Sequence, residues 1–225
     1  MRHLKRPRLK GGASNRYKEI NTRIMEQSDQ IKGLYRPEQA KESCGFGLIA
    51  HQHGEASHEL VTTACSALTR MTHRGAVAAD GKTGDGCGVL MQFPESFFRD
   101  IAEDEGIRLG RFFGVGMVFL NTDPDIAARS RKLLKKHIKN ETLSIAGWRK
   151  VPINPDVCGQ MALESMPCIE QVFVNIPPGW NTHDAERRLF VARRLAAYEN
   201  MNLDEPDELF YVATFSNLTT VYKGL

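Results

Sequence analysis

Cys44 stands where the chain changes character. The 43 residues before it are polar, basic and poor in core residues, and a small-apolar stretch, Cys44-Gly45-Phe46-Gly47-Leu48-Ile49-Ala50, follows at once. A cysteine becomes a nucleophile when it has thiolate character and a base within reach. His51, His53 and His73 hold no fixed sequence relation to Cys44, so no Cys/His pair can be read here. Another route needs no partner residue. Cleavage between Ser43 and Cys44, removing residues 1–43, would give Cys44 a free α-amino group, whose ordinary pKa is about 7.7–8.0. That amine can take the thiol proton, directly or through a water, so that one residue supplies nucleophile and base.

Two further stretches carry chemistry-bearing residues. His73-Arg74-Gly75-Ala76 is followed by the glycine-dense run Asp80-Gly81-Lys82-Thr83-Gly84-Asp85-Gly86-Cys87-Gly88. Such a run can cradle an anion with backbone N–H groups. It is not a phosphate loop, because no Lys-Ser/Thr closes it and a strand-like segment follows, not a helix. A tight turn with its backbone beside an active site fits better. His51-Gln52-His53 has no third ligand nearby and reads as a solvated turn.

The elements that must position these residues follow from periodicity. Cys44–Ala50 reads as a strand. Ser57 caps a helix with Leu60, Val61, Ala64, Cys65, Leu68 and Met71 on its inner face. Val89–Phe93 is a strand, Glu95–Glu105 a helix, and Arg111–Leu120 a near-continuous apolar strand buried on both faces. Asp123-Pro124 opens a long helix with a basic outer face, Arg129 to Lys139, read as solvated. Leu143–Val151 is a strand candidate, Cys158–Met166 a short helix, and Ile169–Ile176 a strand. Asp184–Asn200 is an amphipathic helix with Leu189, Ala192 and Ala196 inward, and Leu209–Phe215 and Thr219–Tyr222 are strands. The pattern predicts sheets covered by helices, with antiparallel pairing.

Composition bounds the class. The chain has 225 residues, 41% hydrophobic and 25% charged, ordinary values for a globular protein. The net charge of +3 is local: residues 1–43 carry eleven Lys/Arg against five Asp/Glu, and the rest is acidic by three. The later part gives no reason to expect nucleic acid, and the basic head reads as a solvated tail. Five cysteines, odd in number and without C-x-x-C spacing, read as free thiols in a reducing compartment, hence a cytoplasmic setting. The longest apolar run, Phe112 to Leu120, is too short to span a bilayer, so no membrane partner is expected.

Taken together, Cys44-Gly-Phe-Gly-Leu-Ile-Ala, His73-Arg-Gly-Ala and Asp80-Gly-Lys-Thr-Gly-Asp-Gly-Cys-Gly resemble the start of the glutamate synthase large subunit, its glutamine amidotransferase domain of the N-terminal nucleophile type. Glu141–Arg149, Val172–Asn175, Glu186–Arg194 and Ser216-Asn217-Leu218 continue the resemblance from about Leu34 to Leu225. It implies an α+β fold, two sheets stacked face to face and covered by helices, and a propeptide at 1–43 that ends at Ser43 and whose removal frees Cys44. It implies that Cys44 attacks the side-chain amide of L-glutamine, releasing ammonia and then glutamate. In the family, the ammonia aminates 2-oxoglutarate with electrons from NADPH or ferredoxin through FMN and iron–sulfur clusters. A small NADPH-oxidising subunit is a further possible partner. None of those cofactor regions is expected in this chain.

By the same resemblance Arg74 and Gly75 lie beside the nucleophile, with Asp85 and Gly86 as neighbours shaping the site. A plain salt bridge at a helix end is the other reading of Arg74. The family's oxyanion hole uses an Asn-Gly pair, and in this chain no Asn is followed by Gly. The expectation is therefore that residues 44–225 are the first part of a glutaminase domain, incomplete at the C-terminus and with little activity alone. A non-catalytic interaction module, or a protein whose basic head binds nucleic acid or membrane, are the alternatives.

Overall fold

The computed structural model describes residues 45–72 and 75–224. Its central sheet holds β2 (Phe113–Leu120), β3 (Ser144–Lys150), β4 (Cys168–Asn175) and β5 (Tyr211–Ser216), in the order β3-β4-β2-β5. Every pairing in it is antiparallel. β2 and β4 occupy the middle and are buried on both faces for most of their length, as an unbroken apolar run requires. β1 (Cys87–Gln92) and β6 (Thr219–Gly224) form a separate antiparallel pair.

Two helices cover one face of the central sheet. α3 (Pro124–Asn140) starts where Asp123 accepts N–H bonds from Asp125 and Ile126, with Pro124 in the first turn. α5 (Thr182–Met201) is capped by Asn181, which accepts from the Asp184 N–H. Their inner stripes, Leu134 and Ile138 from α3 and Leu189, Ala192 and Ala196 from α5, close over Val118, Leu120, Val172 and Val174. The α5 stripe is mostly alanine because the sheet comes close. A Cβ added at Gly114 would meet Leu189 Cδ1 at 3.0 Å, so glycine in β2 admits the helix.

On the other face, α2 (Glu95–Asp104) inserts Phe98 against Phe113, Val115 and Phe173. The β1–β6 pair lies on this side. Phe93, just after β1, packs tilted against Phe98 and edge-on to Phe113, with ring centroids 5.0 and 5.3 Å apart. Buried Gln171 of β4 donates through Nε2 to Tyr222 Oη of β6, 3.2 Å away. α1 (His58–Arg70) rests against β1. Helices and antiparallel sheets together make the α+β arrangement the sequence leads one to expect, with a second sheet of two strands among the described residues.

Glu186 makes the crossing between the sheets. Its carboxylate accepts from the Ser216 hydroxyl (2.8 Å) and the Asn217 N–H (2.6 Å). Ser216 Oγ in turn accepts from the N–H groups of Leu218 and Thr219. The turn is thus tied to α5, and β5 and β6 part into different layers although two residues separate them.

Three expectations need correction. Residues 45–50 form no strand: they lie exposed, with Phe46 92% and Leu48 89% accessible, and none of the described strands pairs with them. Cys65 is exposed and not inward, because α1 rests lightly on β1 and buries none of its residues fully. The basic face of α3 is only partly solvated. Arg131 forks onto Glu170, Arg129 donates to the Glu205 carbonyl, and Lys136 pairs with Glu199.

Glu199 joins the two covering helices, accepting from Lys136 and meeting His137 Nε2, each at 2.7 Å. Lys136 first, and His137 after it, hold its carboxyl below the ordinary carboxylate value. A depressed folded pKa stabilises the native state above the unfolded pKa and is lost as pH falls through the lowered value. Glu199→Gln is therefore expected to narrow the stability difference between pH 6 and pH 3. Urea unfolding of both proteins at the two pH values checks this, and an unchanged difference would speak against the pair.

Candidate active site

The residues expected to do chemistry fall into two groups. Cys44 and Arg74 lie outside the described residues, as does His73. Ser43, on the other side of the expected cleavage point, lies outside them too, so the Ser43–Cys44 bond has no structural account here. Gly75, Asp85 and Gly86 are described, and the structure brings Gly75 and Asp85 together.

Residues 76–85 fold back on themselves as a small hairpin. At its base the Ala76 N–H donates to Asp85 Oδ2 at 2.8 Å, and the Asp85 side chain lies beside Gly75. Val77 and Gly84 form a bridge in the middle. At the tip Ala78 N–H donates to the Thr83 carbonyl (2.7 Å) and Gly81 N–H to the Ala78 carbonyl (3.0 Å). Gly81 has φ +70°, a left-handed conformation that glycine adopts without strain. Gly86 leads into β1, with the Gly224 carbonyl of β6 alongside. The Asp85 carboxylate thus ties the end of the glycine-dense run to the backbone at Ala76, beside Gly75.

The anion this loop cradles is its own. Asp80 Oδ1 accepts from the N–H groups of Lys82 (3.0 Å) and Thr83 (2.8 Å), and the Thr83 hydroxyl donates to Oδ2. Those bonds, the hydroxyl first, hold the Asp80 carboxyl far below the usual carboxylate range. The N–H groups of Gly81, Lys82 and Thr83 are thus already committed within the loop.

Sequence reasoning missed where the hairpin tip is anchored. Asp80 Oδ2 also accepts from Met161 N–H (3.1 Å), and Thr83 Oγ1 accepts from Ala162 N–H (3.3 Å). Both donors belong to the first turn of α4 (Gln160–Glu164), whose N-cap is Gly159 with no capping side chain. Lys82 Nζ adds a bond to the Asp156 carbonyl at 2.8 Å. The available signal was a helix start without a cap residue and a loop aspartate three residues before a threonine.

The remaining candidates are structural. His51 Nδ1 accepts from the Glu55 N–H, and residues 52–53 form the turn expected there. Among the described residues no three His, Cys, Asp or Glu side chains converge as a metal ion or cluster requires. The four described cysteines do not come together as a donor set for an iron–sulfur cluster. No helix among the described residues is long and apolar enough to cross a membrane.

Residues 44–225 match the class-II glutamine amidotransferases. The chain is 37% identical over 200 residues to the glutamate synthase [NADPH] large chain of Bacillus subtilis, 88% of this chain and 13% of that one. It is 38% identical over 191 residues to ferredoxin-dependent glutamate synthase 2 of Synechocystis, 82% of this chain and 12% of that one. The spinach chloroplast ferredoxin-dependent enzyme shares 38% over 187 residues, 81% of this chain and 11% of that one. The chain spans about an eighth of the length of these relatives.

Proposed function

Because the chain belongs to the class-II glutamine amidotransferases, we propose that it is the glutaminase segment of a glutamate synthase, with Cys44 as the nucleophile. The observation that carries this reading is the register of the family match, which begins on Cys44 itself and leaves Ser43 outside. Cleavage after Ser43 frees the Cys44 amine. The amine takes the thiol proton and the sulfur attacks Cδ of glutamine. The tetrahedral intermediate collapses to a γ-glutamyl thioester, the amine returns its proton to the departing ammonia, and water releases glutamate. Arg74 positions the nucleophile loop, and the Asp85–Ala76 bond holds the backbone that follows Arg74.

In the assembled enzyme the ammonia serves amination of 2-oxoglutarate, in the cytoplasm, with FMN, iron–sulfur clusters and NADPH or ferredoxin held by other parts of the enzyme or by a small NADPH-oxidising subunit. The 225 residues contain no Asn-Gly pair. Without that oxyanion donor, turnover by this polypeptide alone is expected to fall by on the order of 10²–10³.

The test is intact mass followed by labelling with 6-diazo-5-oxo-L-norleucine, an electrophilic glutamine analogue. The expected result is a species starting at Cys44, labelled at that residue, with a rate rising through about pH 7.7–8.0 as the amine loses its proton. Retention of residues 1–43 with no labelling would overturn the reading. A second reading, a non-catalytic module that docks on another polypeptide, is favoured by the exposure of Phe46, Leu48 and Leu90. An unlabelled chain that co-purifies stoichiometrically with another polypeptide would support it.

A further inference from the structure

The first N–H groups of a helix need acceptors from outside the helix, and a side chain at the N-cap ordinarily supplies one. Gly159 cannot. The acceptors come instead from Asp80 and Thr83, some eighty residues earlier in the chain. Glycine is required at 159 for this to happen: a Cβ there would fall 2.2 Å from Thr83 Oγ1 and 2.5 Å from Asp80 Oδ2. A residue with its own capping side chain would push the borrowed cap away.

The borrowed cap and the hairpin share the same atoms. Asp80 Oδ2 takes both the Thr83 hydroxyl and the Met161 N–H, while Oδ1 closes the turn at Lys82 and Thr83. The Thr83 carbonyl receives the Ala78 N–H, a rung two residues from the base at Ala76 and Asp85 on either strand. Loss of the cap therefore leaves the tip held from outside by the Lys82–Asp156 bond, and the base by one side-chain bond and an isolated bridge.

We propose that Asp80 and Thr83 are positioning residues for the segment that follows Arg74: they cap α4 from outside its own sequence and so lock the hairpin whose base is the Asp85–Ala76 bond. The purpose assigned to this lock rests on the glutaminase reading, while the coupling between α4 and Ala76 does not. Thr83 serves the lock through its hydroxyl, which donates to Asp80 and accepts from Ala162.

Hydrogen exchange on the full 225-residue chain tests the coupling. Thr83→Val and Asp80→Asn should speed exchange at Met161, Ala162 and Ala76 together, by at least about fivefold, the size of a lost helix cap. Amides of β2 and β4 should keep their protection. Thr83→Ser should restore all three amides to within about twofold of the parent, because it keeps the hydroxyl. Gly159→Ala, which leaves both capping residues in place but crowds them out, should reproduce Thr83→Val. Faster exchange at Met161 and Ala162 with Ala76 unmoved in Thr83→Val and Gly159→Ala would overturn the proposal. So would a Thr83→Ser protein as labile as Thr83→Val.

Where the parent Cys44 reacts with 6-diazo-5-oxo-L-norleucine, Thr83→Val should slow that reaction at least about fivefold and leave iodoacetamide alkylation within about twofold, since only the former needs a positioned site. Equal rates with the analogue would remove the positioning role. A parent that never reacts would sink the glutaminase reading alone, and the exchange pattern would still decide the coupling.

Discussion

Asp207→Ala is expected to destabilise the protein by about 2–4 kcal/mol, at about 1–3 kcal/mol for each buried donor left without an acceptor. Asp207 is 3% exposed and sits between α5 and β5. Its Oδ2 accepts from the Ser130 hydroxyl of α3 at 2.6 Å, and Oδ1 accepts from Leu209 N–H (3.0 Å) and Asn121 Nδ2 (3.3 Å). Alanine would leave the fully buried Ser130 hydroxyl and the Leu209 N–H without acceptors. The two bonds that the Asp207 backbone makes with Asn200 survive, so the loop keeps its path while losing its tie to α3. Asp207→Asn should cost far less, because the amide oxygen still accepts and the Ser130 hydroxyl can turn to accept in its place. Chemical unfolding of the two variants beside Ser130→Ala would test this. An alanine variant no worse than the asparagine one would show that the carboxylate carries no such load.

Phe173→Ala is the second large effect. Phe173 is fully buried on the α2 side of the central sheet, edge-on to Phe98 with centroids 6.0 Å apart, and it contacts the cluster of Phe113 and Val115. Truncation removes a large apolar side chain from a site enclosed by rigid rings and a strand, which relax little. The expected loss is about 3–5 kcal/mol. For a domain of this size that lowers Tm by roughly 10 °C. Phe173→Leu should cost about 1–2 kcal/mol. Calorimetry distinguishes the cases, and an alanine variant within a degree or two of the parent would mean that α2 is not anchored by this contact.

Much of the scaffold was legible because its signals are local. Asp123-Pro124 marks the start of α3 with a cap and a pre-set φ, and the helix begins there. The apolar run into Leu120 marks β2, whose burial on both faces needs no knowledge of its neighbours. Where a residue's environment depends on a distant element, the reading failed. Residues 45–50 have the composition of a strand, but a strand needs a ladder and none of the described strands pairs with them. Cys65 has helical spacing, yet only a neighbouring surface decides which stripe is buried, and α1 has little surface to meet. Of the candidate site, the sequence marked the glycine-dense run as a tight turn, and residues 76–85 form one. The capping of α4 by Asp80 and Thr83 was not legible, because the partners lie about eighty residues apart.

The pairing of β1 with β6 sets the order in which this molecule can be completed. Cys87 faces Gly224 and Gln92 faces Thr219 across the ladder. A ribosome needs on the order of ten seconds to make the chain between those partners. During that time β1, and the hairpin that feeds it, have no strand to lean on. α3 and α5, with β2, β3 and β4 beneath them, can already have formed. The segment after Arg74 is thus among the parts of the molecule that wait longest for their final support.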